Sequence, residues 1–147
     1  MRHTVVDSCV WISAVLNPAG HPATVLQALR TGRFRSIATQ RILDELIDVL
    51  SRQRIRRRYG ITDRDVREII DELTAATTFV TIEGQLHLCR DPNDDMIIET
   101  AINGRADVIV TRDEDLSRDL ELIATVRQFG IEILTVERFL RLLGEDA

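Results

Sequence analysis

Asp7, Glu45, Asp94 and Asp113 are the residues whose types and positions best suit chemistry, and carboxylates suit the coordination of a hard divalent cation. They stand out from 24 Asp and Glu residues by where they fall on the expected elements. Asp7 leaves the strand-like Thr4-Val5-Val6, and Asp113 leaves the nearly all-apolar Val108-Ile109-Val110-Thr111-Arg112. In an open parallel sheet, ligands collect outside the carboxyl ends of the strands, so residues at both exits are candidates. Asp94 continues the stripe of Ile97, Ile98, Ala101 and Ile102 at the i, i+3, i+4, i+7, i+8 spacing and points inward. Asp95 and Glu99 fall off that stripe and are expected to be solvated. Glu45 lies about 40° from Val49 and about 60° from Ile42, at the margin of its helix's apolar face, with Asp44 and Asp48 on the opposite side. Acids gathered at one sheet edge repel one another unless cations or protons neutralise them, and divalent metal is the economical answer. His3, His21 and His87 have no ligand spacing among themselves.

The elements that must hold these acids follow from periodicity and caps. The chain opens with a strand over 4–6 and an apolar stretch from Val10 to Leu16, ended by the turn residues Asn17-Pro18-Ala19-Gly20. Pro22 introduces a helix through Leu29, a second strand spans 35–38, and Thr39 caps a helix with the stripe Ile42, Leu43, Leu46, Ile47 and Leu50. Thr62 and Asp65 have the spacing of a capping box before Val66, Ile69, Ile70 and Leu73. Phe79 to Ile82 alternates like a strand. Pro92 and Asn93 open a helix that Gly104 closes, Asn93 being the expected cap. A strand over 107–111, partial helix over 116–129, a strand over 131–134 and a last helix capped by Thr135 complete the chain. Strands alternating with helices predict an α/β fold, a three-layer α/β/α sandwich around a mainly parallel sheet, with 1–147 as one domain.

Composition narrows the function classes. No apolar run approaches the roughly 18 residues of a membrane span, and no signal-peptide layout opens the chain, so a cytoplasmic location with no membrane partner is expected. Cys9 and Cys89 fit neither a zinc spacing nor a disulfide framework, and are read as reduced, partly buried thiols. The net charge is −5, yet the basic residues, all arginines, concentrate at Arg30, Arg33, Arg35 and Arg41 and then at Arg52, Arg54, Arg56, Arg57 and Arg58. That second run is either a phosphate-tracking patch or a solvated helix end and loop. The absence of lysine counts against a receiver domain, and Asp7-Ser8-Cys9 lacks the Asp-x-Asp of haloacid-dehalogenase-type phosphatases.

Five fragments in order resemble the PIN-domain family, particularly bacterial members of toxin–antitoxin pairs. They are Val5-Val6-Asp7-Ser8, the segment from Ile42 to Leu50, Arg90-Asp91-Pro92-Asn93-Asp94-Asp95, the segment from Ala106 to Leu116, and Ile133-Leu134-Thr135. The resemblance implies the α/β/α fold, Mg²⁺ or Mn²⁺ held by four acids, and endonucleolytic cleavage of RNA to 5′-phosphate and 3′-hydroxyl ends. The family's acids fall on Asp7, Glu45, Asp94 and Asp113, with Thr111 and Ser8 as supporting residues and asparagine often standing where this chain has Asp95. Many relatives carry Asn at the position of Cys9, a departure that bears on a supporting hydrogen bond. A cognate antitoxin and a homodimer are expected on the same resemblance. The competing reading is a catalytically inactive PIN-like module that binds metal or RNA for regulation.

Overall fold

The computed structural model describes residues 1–146. Its five strands, β1 (His3–Val6), β2 (Arg35–Ala38), β3 (Thr77–Phe79), β4 (Val108–Val110) and β5 (Glu132–Leu134), form one sheet in the order β3-β2-β1-β4-β5. Every pairing is parallel, with Val5 opposite both Ile37 and Ile109. The chain walks outward from β1 to β3, then returns to the other side of β1 for β4 and β5. The order therefore reverses between β1 and β4, where an open α/β sheet leaves a crevice at its carboxyl edge.

Alternation along β1 divides the apolar residues into two layers. Val6 joins Val10, Trp11, Leu26, Leu46, Leu73 and Phe139 on one face of the sheet. Val5 joins Ile37, Ile97, Ile98, Ala101, Ile109 and Ile133 on the other. Helices α1 (Ser8–Leu16), α2 (His21–Arg30), α3 (Gln40–Ser51), α5 (Asp63–Ala75) and α9 (Val136–Asp146) supply the first layer. Helices α6 (Pro92–Asn103), α7 (Glu114–Ser117) and α8 (Leu120–Arg127) supply the second. The three-layer expectation holds.

Local signals behave as the caps predict. Thr39 accepts from the Ile42 amide, and Thr62 and Asp65 form the reciprocal capping box. The strands expected over 107–111 and 131–134 are shorter, and the helix expected within 116–129 is two, α7 and α8; two further differences bear on the segment that leads to the acids. The third strand is Thr77–Phe79, because pairing with β2 begins at Thr77 opposite Ser36, and Val80 to Ile82 leave the sheet after one further bond from the Val80 amide to the Ala38 carbonyl. Asp91, not Asn93, caps α6, its side chain accepting from the Asn93 amide while Pro92 takes the first helical position. Among the described residues no helix is long and apolar enough to cross a membrane.

Candidate functional site

Strand β1 delivers Asp7 to the carboxyl edge, and the ladder with β4 extends one step further, from the Asp7 amide to the Val110 carbonyl at 2.9 Å. Directly across stands Thr111, fully buried. Its hydroxyl donates to Asp7 Oδ2 at 3.0 Å and accepts from the Asp113 amide at 3.0 Å. One side chain thus sets the orientation of one acid and the backbone path to another. Asp113 begins α7 and accepts from the Asp115 amide at 2.9 Å through Oδ1. The Ser8 hydroxyl makes a longer contact of 3.4 Å to Asp7 Oδ1.

Helix α6 brings Asp94 to the same edge, with only 8% of its surface exposed. Burial, then the charges of Asp113, Asp91 and Asp7, push its carboxyl up to about 6. Burial likewise raises Asp7, with the Glu45 charge adding to it, against hydrogen bonds from Thr111 and from the Cys9 thiol that favour the charged form. Asp7, Glu45 and Asp94 line a cleft of about 390 Å³, and Asp113, outside its lining, lies near enough for its charge to act on Asp94. Glu45 itself is exposed on the wall formed by α3. The rim also carries Asp44 and Asp48, the acids that helical angle had set aside, and Arg41, whose Nη2 donates across to Asn93 Oδ1 at 2.8 Å.

This donor set is entirely oxygen. Removal from water, and then mutual repulsion, raises the proton affinity of Asp7 and Asp94, and a divalent ion relieves both. Among the described residues, no three or more His, Cys, Asp or Glu side chains stand close enough together to hold a metal ion between them. Carboxylate oxygens without a His or Cys cluster suit a small hard cation that keeps several waters, and do not suit a zinc-like site. Asp7, Asp94 and Asp113 could hold such an ion, with Glu45 reaching it or its waters.

A family model described as the PIN domain matches residues 3–115. The chain belongs to the PIN-domain family. PIN domains are generally nucleases and typically use divalent metals, which makes nuclease-type hydrolysis the activity class of this fold. The chain is also similar to the uncharacterised protein MJ1680 of Methanocaldococcus jannaschii, at 25% identity over 138 residues, covering 92% of this chain and 88% of that one.

Two acids of this PIN domain do not behave as expected. Asp95 and Glu99 are not solvated, being only 6% and 9% exposed. Asp95 Oδ1 accepts the amides of Leu88 and Cys89, and the Glu99 carboxylate accepts four, from Glu83, Gly84, Gln85 and Leu86. Together they staple the segment before α6 onto a second stripe of that helix. Backbone amides hold both acids below the usual carboxylate range, overcoming the cost of burial. Asp95 is therefore spent on the fold, and Asp94 alone faces the cleft.

The arginine run forms a helix of its own, α4 (Gln53–Tyr59), closed by left-handed Gly60. Arg52 pairs with Asp48, while Arg56 bonds the Leu50 carbonyl and pairs with Asp63. Among the described residues Arg54, Arg57 and Arg58 have no ion-pair partner, and Arg58 lies over the Tyr59 ring. Both cysteines are free and half-buried, with Cys9 pushed up to about 11 by burial and by Asp7. Arg41 is the site residue that sequence reasoning passed over. It precedes Ile42 at the start of α3, and its closeness to an acid cleft is visible only in space.

Proposed function

We propose that this chain is a metal-dependent endoribonuclease hydrolysing RNA phosphodiester bonds with Mg²⁺ or Mn²⁺ at Asp7, Asp94 and Asp113, Glu45 serving a second ion or a water. One observation carries the reading: half-buried Asp7 and buried Asp94 stand near further acids at the switch point of a PIN fold, and their removal from water, with the charge of those neighbours, raises their proton affinity. When bound, a divalent ion lowers the pKa of water and offsets charge on the phosphate.

The chain's own residues do the positioning. Thr111 holds the Asp7 carboxylate and the backbone leading to Asp113, so two donors keep a set separation. Ser8 supports Asp7 from the start of α1. Arg41, at the cleft mouth, offers a guanidinium to a phosphate oxygen. In the reaction, the oxygen of a water bonds to phosphorus, the bond from phosphorus to O3′ breaks, and O3′ leaves with a proton. The products carry a 5′-phosphate and a 3′-hydroxyl.

The test is cleavage of an end-labelled RNA. Wild type with Mg²⁺ or Mn²⁺ is expected to cut, and Asp94→Asn to be inert while remaining folded; full activity in the mutant would sink the assignment. The second reading is an inactive PIN-like module, which the absence of a ready three-residue metal grouping among the described residues favours; a folded wild type that cuts no RNA with Mg²⁺ or Mn²⁺ would uphold it. The family resemblance further supports a toxin partnered by an antitoxin and assembled as a homodimer. Growth arrest on expression, relieved by a neighbouring gene product, tests the first, and sedimentation tests the second.

A further inference from the structure

On the other side of Thr111 from the acid cleft lies a second, larger groove of about 540 Å³. Thr111 lines it while bonding to Asp7 in the first cleft, and α1 borders both, with Ser8 in one and Ser13 in the other. The groove also contains Asn17, His21, Tyr59, Arg112, Arg118 and Glu137. Arg112 is held against α1 by its bond to the Ser13 hydroxyl at 2.6 Å, and Arg118 pairs loosely with Glu114 at 3.4 Å. Tyr59 enters from the end of the arginine helix, 42% exposed, with the Arg58 guanidinium 5.4 Å from its ring centre.

We infer that this groove seats one nucleotide of a single-stranded RNA beside the bond to be cut, its base stacked on Tyr59 and its neighbouring phosphates led outward along α4. The inference rests on the ribonuclease reading above. Two guanidiniums balanced by two carboxylates make a poor trap for a bare anion. A nucleobase suits them better, since it brings donors, acceptors and a π-face together. The volume falls within the roughly 300–1,000 Å³ of small-molecule sites. On the same helix as Tyr59, Arg54, Arg57 and Arg58 carry guanidiniums that take part in no ion pair among the described residues. A base already stacked in a duplex cannot turn onto Tyr59, so the groove selects unpaired RNA.

The experiment is fluorescence anisotropy of a short labelled RNA in the Asp94→Asn background with Mg²⁺, so that binding is read without cleavage. Tyr59→Ala is expected to weaken binding about tenfold, and Tyr59→Phe to stay within about twofold of the parent, because stacking survives without the hydroxyl. Arg118→Gln weakens it as well, while a fully paired RNA shows no dependence on Tyr59. In the active enzyme the loss from Tyr59→Ala lies in KM, with kcat retained. Unchanged affinity in Tyr59→Ala and Arg118→Gln overturns the groove, whether or not the enzyme cuts RNA. Weakened binding in both, from a wild type that cuts nothing, upholds the groove and overturns hydrolysis instead.

Discussion

The Thr111 hydroxyl binds Asp7 Oδ2 and the Asp113 amide at the same 3.0 Å, joining the two strands that flank the sheet's switch point. An isosteric Thr111→Val keeps the buried volume and removes both bonds. It is expected to lower kcat at least tenfold with KM little changed, because a small misplacement of a reacting group is costly. Thr111→Ser restores most of the rate. Steady-state kinetics on one RNA substrate decide it, and equal kcat in Thr111→Val and wild type would refute the positioning role.

Burial and the charges of Asp113, Asp91 and Asp7 all oppose ionisation of Asp94, so its carboxylate is expected to destabilise the metal-free protein. In the presence of a chelator, Asp94→Asn is expected to raise stability by roughly 1 kcal/mol while abolishing cleavage. Adding Mg²⁺ raises Tm in wild type and much less in the mutant. Thermal unfolding with and without Mg²⁺ reads both effects, and an equal Mg²⁺ response in the two proteins would remove Asp94 from the ligand set.

Glu99 predicts a fold defect that looks at first like a site defect. Four amides converge on its carboxylate, so Glu99→Gln sets an amide donor against backbone donors and should cost about 2–3 kcal/mol. The folded-state pKa is depressed, so its contribution is full above the ordinary value of 4.5 and disappears as pH falls through the lower folded value. Denaturant titrations at pH 7 and pH 3 should show a mutational difference at pH 7 that shrinks at pH 3. A constant difference would contradict the role of the charge.

Arg41 is expected to act on the substrate and not on the fold, being exposed and bonded only to Asn93 among the described residues. Arg41→Gln should raise KM for RNA about tenfold and flatten its salt dependence, leaving Tm within a degree or two. Kinetics at two salt concentrations provide the check. An unaltered salt slope would exclude a phosphate contact.

Periodicity made much of this legible. The alternation of Val5 and Val6, the stripe from Ile42 to Leu50 and the caps at Thr39 and Thr62 are local consequences of strand and helix geometry, and each appears where the spacing put it. Asp91 could have been found too, since an acid before a proline at the first helical position is a capping signal. Asp95 and Glu99 could not. They lie four apart on a second buried stripe of α6, and what covers that stripe is irregular backbone whose amides carry no hydrophobic period.

Sequence alone determined the layered α/β class and narrowed the acids to Asp7, Glu45, Asp94 and Asp113, because strand ends and helical angles are local geometry. Tertiary structure decided which acids lie near one another, that Asp95 belongs to the fold, that Arg41 stands at the cleft and that Tyr59 and Arg112 line one groove. Apart from the Asp95 contacts, which span six and seven positions, those relationships join residues distant in the chain. The acids of the cleft are brought together by the reversal of strand order at β1, which no local pattern encodes.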